Sequence, residues 1–203
     1  MNTTEIINSI PLSDSDKFLT SIGFSMIKEN LEFIEEARFD KKFDVYDLAT
    51  GGGRMTALLT RLGFNIITGD ISFELKKEAE ERIAGEYLKH VKFMNANLEN
   101  LPYESNSVYN LVSANTFHHL ENPAVCLNEL TRVQAKGGKF LLIDFTDTGF
   151  DLMDEHNQQK HGRLHPRGSY SWDEVGGILK ENYTNVKEIN RTITRAFIAD
   201  QKR

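Results

Sequence analysis

Cysteine is almost absent. Cys126 stands alone among 203 residues, so no intrachain disulfide can form and a thiolate metal cluster lacks donors. Positive charge is in deficit. The 24 Lys and Arg against 30 Asp and Glu leave a net charge of -6, the wrong sign for a face that neutralises phosphates, so a nucleic-acid partner is not expected. No apolar run is long enough to span a bilayer. Met1-Asn2-Thr3-Thr4-Glu5 has neither the basic nor the apolar stretch of a signal peptide, which predicts a cytoplasmic protein without a membrane span. Internal repeats and low-complexity tracts are also missing. What remains is an ordinary globular composition, 39% hydrophobic and 27% charged, in a chain long enough to bury a core as a single domain over residues 1–203.

The element pattern is regular. Residues 1–12 read as a loose lead-in. Ser13 with Asp14 and Asp16 looks like a helix start. Leu19, Ile22, Met26, Phe33 and Ala37 recur at roughly helical spacing, with Gly23 marking a kink or a close contact. A helical extension over residues 1–42 therefore precedes the first strand, packing on the sheet and, over 13–26, covering a site. Strands are predicted at 43–48, 64–70, 91–96, 108–114 and 139–145. Helices follow the first, second and fourth of these, with one over 72–84 and one from Asn122-Pro123 stopped by Gly137-Gly138. A long polar connection over 147–170 leads to a capping box, Ser171-Trp172-Asp173-Glu174, and another helix. Two strands, 186–189 and 193–198, close the chain as an antiparallel pair. Such alternation predicts a doubly wound, mostly parallel seven-stranded α/β sheet ending in a hairpin, with ligands bound beyond the carboxyl ends of the strands.

The chemistry is concentrated at Asp47-Leu48-Ala49-Thr50-Gly51-Gly52-Gly53-Arg54. A strand, a glycine turn and a helix N-terminus let a ligand lie against bare backbone. A dinucleotide loop needs a third glycine for helix packing, and Thr56 stands there. No G-x-x-x-x-G-K-[ST] sequence exists for ATP or GTP.

This stretch resembles the first motif of class I S-adenosylmethionine-dependent methyltransferases, with Ala49 in place of the first glycine. The resemblance continues in order. Asp70 ends the second strand, and Asn97-Leu98-Glu99-Asn100-Leu101-Pro102-Tyr103 is similar to the D-A-x-x-L-P-F segment, with asparagine for aspartate. The segment 108–120, ending Phe117-His118-His119-Leu120, and 134–143 follow the fourth- and fifth-strand motifs. The match covers about 43–146 and is nearest the ubiquinone/menaquinone-type and type 11 small-molecule methyltransferases. It implies S-adenosylmethionine as cofactor, S-adenosylhomocysteine as product, and a Rossmann-like fold. It implies cofactor contacts from Asp47, Ala49, Gly51, Gly53, Asp70, Ile71, Asn97, Leu98 and Asn115. Asp70 would take the ribose hydroxyls, since a carboxylate offers two acceptors to a vicinal diol. Asn97 and the Leu98 N–H would meet the adenine. Asp47 would hold the glycine loop or a water near the cofactor amine.

Histidines supply the remaining candidates. His118 faces the cofactor or acceptor if either of the pair His118-His119 does. The connection 147–170 holds His156, His161 and His165 with Arg163 and Arg167. It is either a solvated surface or the acceptor side of the site, with His156 and His161 as proton acceptors. A metal held by His156, His161 and His165 is the remaining option, although their spacing matches no standard zinc motif. The expected function is methyl transfer to a small-molecule acceptor. No Asn-Pro-Pro-Tyr follows the fourth strand, which argues against adenine- and glutamine-amino methylation. The alternatives are a catalytically silent S-adenosylmethionine-binding sensor or partner subunit, and a nicotinamide-dependent reductase.

Overall fold

The structure, a computed structural model, describes residues 1–72 and 74–203. Three helices come first: α1 (Thr3–Asn8), α2 (Asp14–Ser21) and α3 (Met26–Ala37). Then follow β1 (Val45–Leu48), α4 (Arg54–Arg61), β2 (Ile66–Asp70), α5 (Lys76–Ile83), β3 (Val91–Asn95), β4 (Val108–Ala114), α6 (Pro123–Val133) and β5 (Gln134–Phe145). The chain ends with α7 (Asp147–His161), α8 (Trp172–Asn182), β6 (Tyr183–Asn190) and β7 (Thr194–Lys202).

The seven strands lie in the order β3-β2-β1-β4-β5-β7-β6. The first five are parallel, and β7 runs antiparallel to both β5 and β6. This is the doubly wound sheet with a terminal antiparallel pair that the alternation predicts. Strand order reverses between β1 and β4, and a crevice opens there beyond their carboxyl ends. One apolar layer joins Leu31, Ile34, Leu58 and Leu59 to Val45, Val112 and Leu141. The other joins Leu127, Leu130, Val175 and Leu179 to Leu111, Phe140 and Leu142. β5 is buried on both faces over its last six residues, which is why its sequence runs apolar rather than alternating.

Several expectations fail for identifiable reasons. The lead-in is not loose: Asn2 and Glu5 form a capping box that starts α1, and Ile6 buries beneath it. The run 18–37 is two helices, because Gly23 takes φ +89° and ends α2, and Ser25 caps α3. The helix expected over 72–84 is α5, starting at Lys76; Phe73, within the expected range, lies outside the described residues. Gly137-Gly138 do not stop α6. They lie inside β5, where the register against β4 shifts, and a Cβ on Gly138 would stand 2.3 Å from the Tyr109 carbonyl oxygen. The largest departure is the polar connection over 147–170, most of which is the 15-residue helix α7. Its glycine misleads. Gly149 is there for packing, since a Cβ would reach within 2.0 Å of the Ile193 carbonyl oxygen, and not for a turn. Thr146 caps the helix and Gly162, at φ +65°, ends it.

Candidate active site

The glycine turn is built by β1 and β2 together. The Ala49 and Thr50 N–H groups both donate to the Gly69 carbonyl, at 2.8 and 3.1 Å. Ala49 takes φ +75°, a conformation that strains any residue with a Cβ. Gly51 follows at φ +48°, and its N–H donates to Asp70 Oδ2 at 2.8 Å. Beneath the turn Asp47 is fully buried and accepts from Thr56 Oγ1 at 2.5 Å. Burial pushes its carboxyl up to about 7, against the opposing hydrogen bond from Thr56.

A cavity of about 690 Å³ opens over this turn. Asp47, Ala49, Gly51, Asp70, Ile71, Asn97, Leu98 and Asn115 all line it, although they come from four separate segments. Gly53 does not. It caps α4 at φ +76°, and a Cβ there would strike Ala79 at 2.8 Å, so its glycine serves the α4–α5 contact. Ile71 is exposed at the rim while Leu98 is buried, leaving two apolar walls. Asn97 Oδ1 accepts from the Glu99 N–H at 2.9 Å, an Asx turn that holds the segment. Cys126 also lines the cavity, but burial and then Glu99 push its thiol up to about 11, so it is no nucleophile at neutral pH.

Sequence reasoning missed Asn30. It sits on α3, fully buried among Ile27, Leu31 and Ile34, and lines the cavity with neither side-chain polar atom hydrogen-bonded. A buried amide with both ends unpaired is costly unless a ligand supplies the partners. The signal was present: an asparagine on the apolar face of an amphipathic helix. Asn115 adds a second unpaired amide, its Nδ2. Asp16 of α2 is also buried. It accepts from Arg54 Nε at 3.0 Å, and Arg82, 3.9 Å away, donates to the Gly52 carbonyl at 2.8 Å. Burial works against the charged Asp16 carboxyl, but Arg54 and Ser13 outweigh it and hold its pKa below the ordinary value. The N-terminal helices are thereby tied to the glycine turn.

The histidines are arranged differently from expectation. His118 is buried and turned away from the main cavity, with Nδ1 2.5 Å from Asp144 Oδ1 and Nε2 3.1 Å from His165 Nε2. His119, not His118, lines the cavity. Burial, then the neighbouring imidazoles, push His119 down to about 4; burial and His118 do the same to His165. His156 packs its ring on Phe18 beside a separate cavity of about 470 Å³, and its Nδ1 has no partner. His161 is exposed in the last turn of α7. His156, His161 and His165 do not form a metal set. Five residues apart on a helix, the first two point about 140° away from each other.

The cavity suits S-adenosylmethionine. It lies within the ordinary small-molecule range, with a carboxylate at the end of β2, apolar walls and two unpaired amides. Residues 46–142 match the family described as "Methyltransferase domain". The demethylmenaquinone methyltransferase of Clavibacter sepedonicus is 28% identical over 102 residues, 50% of this chain and 41% of that one. The ubiquinone/menaquinone biosynthesis C-methyltransferase UbiE of Wigglesworthia glossinidia brevipalpis is 24% identical over 181 residues, 86% of this chain and 68% of that one. The chain thus spans from under half to about two thirds of these relatives. A SAM-dependent methyltransferase from Aquifex aeolicus shares the fold with a TM-score of 0.65 at 21% identity, covering 98% of both chains. The citrinin polyketide synthase CMeT domain does so with 0.69 at 21% identity, over 93% of this chain and 55% of that one. The chain thus has the fold of S-adenosylmethionine-dependent methyltransferases, and residues 46–142, just under half of it, are similar to the methyltransferase domain family. Within that class the similarity is to the type 11 methyltransferase domain.

Proposed function

We propose that this protein transfers a methyl group from S-adenosylmethionine to a small-molecule acceptor carrying a hydroxylated ring. One observation carries most of the weight. A single cavity at the reversal of strand order collects Asp47, Gly51, Asp70, Leu98 and Asn115 with the unpaired amide of Asn30. Asp70 would accept from the ribose hydroxyls through the carboxylate that also anchors Gly51. Ile71 and Leu98 would flank the adenine, and Asn97 would accept from its amino group. Asn30, Asn115 and Asp47 would face the amino acid end. When bound, the cofactor supplies an electrophilic methyl on a sulfonium; the chain contributes positioning and exclusion of water. The ring acceptor is favoured by the names of the relatives, a demethylmenaquinone methyltransferase and a C-methyltransferase of ubiquinone/menaquinone biosynthesis.

A second reading, a cofactor-binding protein without turnover, has one observation behind it. Among the described residues His118, His156 and His161 do not line the cavity, and His119 is the imidazole that does. A thermal-shift screen with S-adenosylmethionine, S-adenosylhomocysteine, NADH and ATP, followed by an acceptor panel of phenols, quinols and thiols, separates the readings. The two sulfur compounds should stabilise the protein and NADH should not. Stabilisation with no methylated product from any acceptor supports the silent reading, and stabilisation by NADH alone sinks both.

A further inference from the structure

We propose that His118, His119 and His165 form a site for one divalent transition metal, zinc in the first instance, at the edge of the cofactor cavity. One ring nitrogen from each lies within 4.8 Å of the others. The Nε2 atoms of His118 and His165 face each other at 3.1 Å. Two nitrogens bound tetrahedrally to zinc at about 2.0–2.1 Å stand roughly 3.3 Å apart, so this pair is already spaced as ligands are. The three donors come from two remote segments, the turn after β4 and the loop after α7.

The outer contacts are those that orient metal-binding imidazoles. His118 Nδ1 donates to Asp144 Oδ1 at 2.5 Å, which leaves Nε2 with its lone pair directed at His165. His165 Nδ1 stands 2.9 Å from the Asn157 side-chain amide, and its backbone N–H donates to Asp154 Oδ1 at 2.8 Å. Arg167 pairs with the same Asp154 carboxylate at 2.5 Å, and Gly168 lies so close to His118 that a Cβ would come within 2.9 Å of its Cα. The loop is therefore held in place from both sides of His165. Without a metal, a proton chain satisfies the group: Asn157 Nδ2 donates to His165 Nδ1, and His165 Nε2 donates to His118 Nε2. Turning the Asn157 amide over places its oxygen at His165 Nδ1, moves the proton there, and frees both Nε2 lone pairs for a metal, with a His119 ring nitrogen within 4.8 Å of them.

All-imidazole donors select zinc, copper, nickel or iron over magnesium and calcium. Three protein ligands leave a fourth position open, as in catalytic zinc sites. His119 lines the cofactor cavity, which brings the metal site to its edge. Resting on the methyltransferase reading, the ligand class is a small molecule with a phenolic hydroxyl or a thiol. Its proton leaves to water as the oxygen or sulfur coordinates.

Titrating metal-stripped protein with zinc chloride against a chromophoric chelator tests the site. Wild type should bind one equivalent, and cobalt(II) should give the visible absorption of a tetrahedral nitrogen site. Asn157→Ala should weaken zinc binding by about 10–100-fold. His165→Ala, on a partly exposed loop, should weaken it further, and His161→Ala should leave it unchanged. Equal zinc affinity in wild type and His165→Ala, or no stoichiometric binding by wild type, overturns the proposal. Calorimetry with S-adenosylhomocysteine on the same samples keeps the two readings apart. Cofactor binding without a zinc site removes only the metal, whereas loss of cofactor binding in wild type removes the function on which the acceptor class rests.

Discussion

Asp70 joins the glycine turn to the cavity. One oxygen anchors the Gly51 N–H at 2.8 Å, and the carboxylate lines the cavity at the end of β2. Asp70→Ala should weaken S-adenosylhomocysteine binding by about 1–3 kcal/mol, the cost of leaving diol contacts unmade. Unchanged calorimetric affinity would reject the ribose role. Asp47 makes a prediction about pH. Its carboxyl is raised in the folded state from 3.8 to about 7 by burial. Between those values the folded protein keeps a proton that the unfolded chain releases, so this residue's contribution to stability falls as pH rises through the window and is constant above it. Urea melts of wild type and Asp47→Asn between pH 4 and 8 should show the difference in stability shrinking toward neutral pH in favour of the variant. Parallel curves would show that Asp47 titrates normally.

Among the elements, α2 and β5 carry the informative contacts. Asp16 joins α2 to Arg54 and Arg82, and Arg82 holds the Gly52 carbonyl. Removing Asp16 takes the buried carboxylate from Arg54, while Arg82 keeps Glu78 at 3.2 Å. Asp16→Ala should therefore lower stability by about 3 kcal/mol and loosen the glycine turn, read as weaker S-adenosylhomocysteine binding. Full affinity in a destabilised variant would confine the contact to folding. In β5 the two glycines differ. A Cβ on Gly138 meets the Tyr109 backbone at 2.3 Å, whereas on Gly137 the nearest atom is the Tyr109 ring at 3.9 Å. Gly138→Ala should cost about 1–3 kcal/mol as β4 and β5 are forced apart, and Gly137→Ala should stay within about 0.5 kcal/mol. Equal urea midpoints would contradict the register described for this pair.

At the scale of the whole molecule, ligand binding and stability are one quantity. S-adenosylhomocysteine at 100 times its dissociation constant should add about 2.7 kcal/mol. In a chain of this size that corresponds to a rise in Tm of roughly 5–11 °C. No helix among the described residues is long and apolar enough to cross a membrane. Much of the architecture was legible beforehand because each β–turn–α unit carries its own local marks: strand apolarity, a glycine or capping residue, then helical periodicity. The places of Asp70, Asn97 and Leu98 on the cavity were legible because they sit at strand ends or in recognisable turns. Asn30 was not, because its neighbours in the chain say only that it is on a buried face. What makes it a site residue is the crevice that β1 and β4 open opposite α3.

The sequence by itself determined the β–turn–α alternation, the mostly parallel sheet and the glycine turn after β1, since these depend on propensity, periodicity and turn chemistry over short spans. Only the tertiary structure decided which glycines serve packing. Gly138 and Gly149 read locally as breaks, yet each admits a distant backbone carbonyl, that of Tyr109 in β4 and that of Ile193 in the turn before β7. Only the tertiary structure decided the histidines as well. His156 and His161 are neighbours of His165 in the chain but lie on a helix that points them elsewhere. The fold instead brings His165 to His118 across 47 positions, by a close approach at Gly168 that no local pattern encodes.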